Sequence, residues 1–203
     1  MKIYKFFFDK IISIFLILLF LPIFIVVPFI ILAIDGKPIL FRQKRLGING
    51  RVFNFYKFRT MLNGKSISAK HDESRVTKLG NFLRNTSIDE LPAFYNVLKG
   101  DMSIVGPRPM PLKYLKRFNK KQINRLNVKP GITGLAQING RNMITWEERF
   151  KLDIEYVEKK SVFLDVKIIF LTIYVVISRK GVNPDKSYIM VEFFGKKNSS
   201  NEL

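Results

Sequence analysis

The sequence predicts an α+β fold, mostly helical with one small β-hairpin or sheet, behind an N-terminal membrane hairpin of re-entrant, helix–break–helix form. Three observations predict it. Ile11 to Ile34 are 24 consecutive uncharged residues between Lys10 and Asp35, interrupted by Pro22 and Pro28. Residues 52–60 are aromatic-rich and partly alternating, after the turn residues Gly47-Ile48-Asn49-Gly50, as in a strand that follows a tight reversal. Further along, apolar residues recur at helical spacing in 90–99 and 146–160. The 203 residues divide into a membrane segment, 1–35, and one globular unit, 36–203.

The uncharged run is long enough for one spanning helix, but two features favour a re-entrant path. Pro22 lies near its middle and removes a helical hydrogen bond while its ring clashes with the preceding turn. The halves on either side are about 17 Å long at ~1.5 Å per residue, short of a hydrocarbon core of about 30 Å. Both flanks are basic, with Lys2, Lys5 and Lys10 before the run and Lys37, Arg42, Lys44, Arg45 and Arg51 after it, which puts both on the cytoplasmic side. The absence of a small-residue cleavage pattern before Pro38-Ile39-Leu40-Phe41 argues against a removable signal.

From 38 to 60 the pattern is a β-hairpin. Residues 63–78, with the only histidine, His71, are polar and read as a mobile loop or a surface helix. Leu91, Phe94, Tyr95 and Leu98 place one apolar face on a helix over 90–99, which Gly100 ends. Gly106-Pro107-Arg108-Pro109-Met110-Pro111 is a rigid loop, and 130–134 reads as a turn. Phe150, Ile154 and Val157 share the face of a helix over 146–160. The uncharged run 168–178 is too short to span and is either a core helix or one lying on a membrane. The tail from Lys196 is polar and frayed.

Composition narrows the chemistry. There is no cysteine and one histidine, which excludes disulfides, thiolate nucleophiles, and zinc sites built on Cys or clustered His. Reactive groups come mainly from the 16 Asp and Glu. Lys+Arg number 35, for a net charge of +19, and residues 1–35 contribute only three Lys and two Asp. The basic body therefore adjoins the apolar run, and such a charge points to nucleic acid, an anionic membrane or phosphorylated substrates.

The local feature with most chemical content is Asp89-Glu90-Leu91-Pro92. Pro92 fits the first turn of a helix if Asp89 is its N-cap, because the N–H there has no partner in any case. A carboxylate in that place is either a plain cap or, ionised and beside a phosphate-attracting helix start, a nucleophile or a Mg²⁺ ligand with Glu90. Arg84, Arg108 in its proline loop, Lys129 before Pro130-Gly131, and Arg141 in Asn139-Gly140-Arg141-Asn142 are candidate phosphate binders. Neither a Walker nor a GxGxxG pattern is present.

Ser87-Ile88-Asp89-Glu90-Leu91-Pro92, the run from Asn96 to Pro109, Tyr56-Lys57-Phe58-Arg59-Thr60-Met61, and Lys129-Pro130-Gly131-Ile132-Thr133-Gly134 leading to Asn139-Gly140-Arg141 all occur in this chain. Together they resemble the bacterial sugar transferases, specifically the small monotopic phosphoglycosyl transferases. The resemblance implies a catalytic domain over 36–203 on the cytoplasmic face of the bacterial inner membrane. It implies that Asp89 attacks the β-phosphate of a UDP-sugar, releasing UMP, and that polyprenyl (undecaprenyl) phosphate takes the phosphosugar from the covalent intermediate. It implies Mg²⁺ held at Asp89 and Glu90, and substrate phosphate binding by Lys57, Arg59, Arg84, Arg108 and Arg141. It points to an N-acetylated amino sugar, membrane lipids as partners and no nucleic acid. Some relatives carry Ser-Pro at the helix break, where this chain has Leu21-Pro22. The charge leaves one other class, a membrane-anchored nucleic-acid-binding protein, although no recognisable binding module accompanies it.

Overall fold

The structure, a computed structural model, describes residues 3–64, 74–140, 143–178 and 192–195. The polar stretch is thus seen only at its ends, and His71, Arg141 and the tail from Lys196 lie outside the described residues.

Two helices open the chain, α1 (Ile3–Leu19) and α2 (Leu21–Ile34), bent by 60° at Phe20. Pro22 has no N–H to offer the carbonyl of Leu18, and its ring crowds that turn. The bonds on either side persist, Phe20 N to Leu16 O at 2.9 Å and Phe24 N to Phe20 O at 3.0 Å. The bend thus falls two residues before the proline that causes it, and Pro28 stays inside α2. Among the described residues no single helix is long and apolar enough to cross a membrane, whereas the bent pair together passes that test. α1 is longer than the uncharged run implied, because Lys5, Asp9 and Lys10 extend it and find partners in the body. Lys5 Nζ meets Asp165 Oδ2 at 2.6 Å. Asp9 Oδ1 accepts from Ser103 Oγ at 2.9 Å and Ile104 N at 3.0 Å, and Lys10 donates to the carbonyl of Leu98.

β1 (Leu40–Leu46) and β2 (Val52–Phe58) form the expected antiparallel hairpin, in register from Leu40 opposite Phe58 to Leu46 opposite Val52. Strand alternation puts Phe41, Gln43, Arg45, Phe53, Phe55 and Lys57 on one face. Phe53 and Phe55 join the main core with Phe94, Val97, Met102, Val105, Tyr156 and Ile168, and α1 packs Ile12, Leu16 and Ile17 against it. A second core joins Val27 and Ile31 of α2 to Phe58 and to Leu83 of α3 (Lys78–Asn85), a helix capped by Thr77.

α4 (Ala93–Lys99) starts later than its apolar spacing suggested and turns a different face inward. Ala93, Phe94, Asn96 and Val97 are buried, and Tyr95 is 56% exposed. Asn96 decides this orientation. Its side chain donates to Asn54 O at 2.7 Å and accepts from Tyr56 N at 3.2 Å, which ties the helix to β2. Gly100 ends α4 with φ +91°, as its position predicted.

The segment 130–134 read as a turn is in fact a strand. β4 (Gly131–Thr133) pairs in parallel with β3 (Ser103–Val105). A side chain at Gly131 would sit 2.1 Å from the backbone N of Gly106, so glycine here serves close approach of two backbone segments and not reversal. A short helix, α5 (Leu135–Ile138), leads to α6 (Trp146–Lys159), which opens with a Thr145–Glu148 capping box. α7 (Val162–Ile177) buries only Asp165 and Ile168 among its described residues. Phe163, Phe170 and Ile177 are 82%, 68% and 76% exposed, so α7 meets the core along one narrow side, around Ile168, and turns most of its apolar surface outward.

Candidate active site

The site begins with a short irregular stretch. Ser87 adopts φ +60°, and Ile88–Glu90 form one 3-10 turn closed by Glu90 N to Ser87 O and Leu91 N to Ile88 O, each 3.2 Å. Leu91 and Pro92 then carry helical angles into α4, whose N-cap position is Pro92. Asp89 is therefore not the helix cap its sequence context suggested. Proline, with φ held near −60°, fits the residue just before the helix. The Asp89 carboxylate is left outside the capping scheme, and Asp89 is only 5% exposed.

Lys57 reaches the pair from β2. Its Nζ lies 2.5 Å from Glu90 Oε1 and 3.4 Å from Asp89 Oδ2. Arg108 grips Glu90 with two nitrogens, Nη2 to Oε1 at 2.6 Å and Nη1 to Oε2 at 3.3 Å. The proline loop that presents Arg108 is held through four consecutive carbonyls. Pro107 accepts from Gly131 N at 3.0 Å, Arg108 from Arg125 Nη2 at 2.8 Å, Pro109 from Arg45 Nη1 at 3.2 Å, and Met110 from Leu46 N at 2.9 Å. Arg125 is fixed in turn by a fully buried pair with Asp153, at 2.7 Å.

The two neighbouring carboxylates have opposite electrostatics. Burial pushes Asp89 above the ordinary carboxylate value, and Lys57 only partly opposes this. Burial acts on Glu90 in the same sense, but Arg108 and Lys57 outweigh it and hold Glu90 well below the usual range. Arg108 is raised, chiefly by Glu90. Glu90 is thus a permanent anion that orients two cations, while Asp89 is the carboxylate with the least stabilised charge.

The other sequence candidates divide. Arg84 donates to Thr60 Oγ1 at 2.9 Å and lines the same groove as Asp89. Arg59 also lines the groove, but its guanidinium donates to the carbonyls of Asp35, Gly36 and Lys37 at 2.5 to 2.9 Å and closes the C-terminal end of α2. Two residues that the sequence did not single out as phosphate binders, Arg45 and Arg149, also line the groove. A signal for Arg45 existed, since strand alternation puts it on the same hairpin face as Lys57. Arg149 carried none, because its helix is read from apolar spacing.

The groove has a volume of about 2140 Å³. Asp89, Glu90, Lys57 and Arg108 line one part. Phe15, Leu19 and Phe20 near the helix bend line another, with Ile169, Ile173 and Val176 of α7. A carboxylate among cations, opening on an apolar wall, defines a protein suited to an anionic, phosphate-bearing ligand with an apolar portion. The model of the bacterial sugar transferase family matches residues 1–179, and the chain belongs to that family of enzymes. It is 48% identical over 162 residues to the uncharacterized sugar transferase EpsL of Bacillus subtilis, covering 79% of this chain and 80% of that protein. It is 42% identical over 178 residues to the UDP-glucose:undecaprenyl-phosphate glucose-1-phosphate transferase of Klebsiella pneumoniae, with 82% of this chain matched. It is 38% identical over 167 residues to the undecaprenyl-phosphate galactose phosphotransferase of Salmonella typhimurium, with 72% matched. The chain spans 38% and 35% of the length of these last two.

Among the described residues no group of three or more Asp, Glu, His or Cys is placed to enclose a metal. Asp89 and Glu90 fit a Mg²⁺ of the kind that takes one or two carboxylates and completes its shell with water and substrate phosphate oxygens. The desolvated charge of Asp89 fits such a cation best, since both Glu90 oxygens already accept from Lys57 or Arg108.

Proposed function

We propose that the chain transfers a sugar-1-phosphate from a UDP-sugar to polyprenyl phosphate, forming polyprenyl-diphosphate-sugar and releasing UMP. The observation that carries this reading is the weakly stabilised Asp89 carboxylate, held beside Lys57 and the Glu90–Arg108 pair in a groove that ends in an apolar wall. In the first half-reaction an Asp89 oxygen bonds to the β-phosphorus of the donor. The bond from that phosphorus to the bridging oxygen breaks, and its electron pair leaves with UMP. In the second, a phosphate oxygen of the acceptor bonds to the same phosphorus, and the Asp89 carboxylate is regenerated. Such a covalent intermediate lets one site serve both substrates in sequence.

Lys57 and Arg108 bind phosphate oxygens and balance the charge that builds up on them. Arg84 is placed in the groove to assist. Bound Mg²⁺ would supply further neutralisation of the diphosphate at Asp89 and Glu90. The α1–α2 bend acts as a re-entrant hairpin whose basic flanks both face the cytoplasm, and α7 lies against the same leaflet. The names of the Klebsiella and Salmonella relatives support undecaprenyl phosphate as acceptor and a hexose phosphate as cargo.

The test is UMP release from UDP-glucose, UDP-galactose and UDP-N-acetylglucosamine, with undecaprenyl phosphate and Mg²⁺. One donor is expected to turn over, and Asp89→Asn is expected to lower its turnover at least about a thousand-fold while the circular dichroism spectrum is kept. Full activity in that variant removes Asp89 from the mechanism.

A further inference from the structure

Gln137, on the short helix α5, lines the groove that contains Asp89. Both Nε2 and Oε1 of its amide are covered from solvent, and neither has a hydrogen-bond partner. Among the described residues no other side chain leaves two buried polar atoms unpaired. An amide carries two N–H donors and an acceptor oxygen, and taking both ends out of water without replacing their hydrogen bonds is costly. The hydroxyls of Thr133 and Thr172 line the same groove and are satisfied. Thr172 Oγ1 donates to Ile168 O at 2.7 Å and lies 2.6 Å from Thr133 Oγ1, which therefore donates to it. An amide left unsatisfied beside paired hydroxyls needs a reason.

Its place narrows that reason. A Cβ on Gly134 would fall on the carbonyl oxygen of Gly106 and stand 2.8 Å from Gln137 Oε1. The amide is thus wedged against the β3–β4 pair, just before the loop that presents Arg108. Ile132, Ile138 and Ile169 line the groove on this side. In a UDP-sugar the hexose is bonded directly to the β-phosphate, whereas ribose and base lie beyond the α-phosphate. With the β-phosphate at Asp89 and Arg108, a group beside the start of the Arg108 loop meets the hexose first. The chemistry agrees. A hydroxyl both donates and accepts, and so can satisfy both ends of an amide. An ionised phosphate only accepts and would leave Oε1 unpaired, and a polyprenyl chain offers neither.

We propose that Gln137 is a specificity-determining residue that hydrogen-bonds a hydroxyl of the donor's hexose. This deepens, and rests on, the transferase reading above. The torsion that orients an amide is soft, so the side chain turns its amide into the groove when the hexose arrives, and the missing bonds form there. The hexose stays attached to phosphorus through both half-reactions, so the contact outlasts the nucleotide. A donor that places its hydroxyl elsewhere leaves the amide unpaired again and is rejected for that reason.

The experiment is calorimetric titration of the full chain in detergent with UMP, UDP-glucose, UDP-galactose and UDP-N-acetylglucosamine, in an Asp89→Asn background so that no donor is consumed. UMP shares the nucleotide and lacks the sugar. With Gln137 in place one UDP-sugar is expected to bind best. Gln137→Met keeps the length of the side chain and removes both polar atoms. It should weaken that donor about ten-fold, bring the three donors within about three-fold of one another, and leave UMP within about two-fold of its starting affinity. With Asp89 present, the undecaprenyl phosphate KM should stay within about two-fold. If Gln137→Met melts early, Gln137→Ala decides, and early melting of both shows a structural amide and overturns the proposal. Equal weakening of UMP and the UDP-sugar overturns it by moving the amide to the nucleotide. Unchanged donor preference in a folded variant overturns it, as does an acceptor KM that rises as much as donor affinity falls. A chain that binds its donor through Gln137 but releases no UMP keeps the hexose contact and removes the transferase reading. UMP release with a donor preference indifferent to Gln137 does the reverse.

Discussion

The two walls of the groove are held in different ways. On the polar wall, four successive loop carbonyls are tied down, Arg108 is gripped by Glu90, and Arg125 is locked on Asp153. On the apolar wall, α1, α2 and α7 bury one side against the body, through residues such as Leu16, Ile31 and Ile168 and the ionic anchor Lys5–Asp165, and turn their other large side chains outward. With the membrane placement proposed above, the difference is one of solvent. Recognition of a charged group requires donors fixed before the ligand arrives. A helix whose exposed side is apolar needs a medium that accepts that side, and a lipid surface is such a medium.

The sharpest way to break the polar wall is Arg125→Ala. It leaves Asp153 buried without its Arg125 partner and frees the Arg108 carbonyl. The expected loss is about 3–5 kcal/mol of stability, measured by denaturant unfolding in detergent. The apolar wall should respond in the opposite manner. Phe170→Ser removes an exposed aromatic from α7 and should leave unfolding nearly unchanged, while binding to anionic lipid vesicles weakens by about 1.5–3 kcal/mol. Equal effects of both substitutions on folding would mean that the walls are not distinct.

The smallest effect is a shift with pH. In the proposed reaction Asp89 must be ionised to attack, and its raised value means that the charged form is lost early as pH falls. The acid limb of the donor half-reaction should therefore lie above the ordinary carboxylate value. Lys57→Met removes a group that lowers Asp89 and should move that limb further upward. Glu90 is shifted the other way: its contribution to stability is present above its unfolded value and is lost only as pH falls through its lower folded value. A limb that stays in place in Lys57→Met means that Lys57 does not act on the reacting carboxylate.

Elements encoded by local chemistry were legible in the chain. The hairpin shows in alternation and the Gly47–Gly50 turn, α6 in its apolar spacing, and the end of α4 in Gly100. The β3–β4 pair was not legible, because two three-residue strands far apart in sequence carry too little pattern to announce a parallel pairing. Asp89 stands outside regular helix interior, as its sequence implies, but not as a cap, since Pro92 fits both the first turn of a helix and the residue before it.

By itself the sequence confined the chemistry to carboxylates, by lacking cysteine and carrying one histidine, and it located the helix break through Pro22. Tertiary structure decided which basic residues stand around Asp89. Lys57, Arg108, Arg45 and Arg149 come from a strand, a loop, a second strand and a helix, and Arg59, two residues from Lys57 in sequence, is spent on closing α2. Strand alternation and helix periodicity tell only which way a side chain leaves its own element. What it meets is set by the packing of distant elements, and that convergence is written in no local pattern.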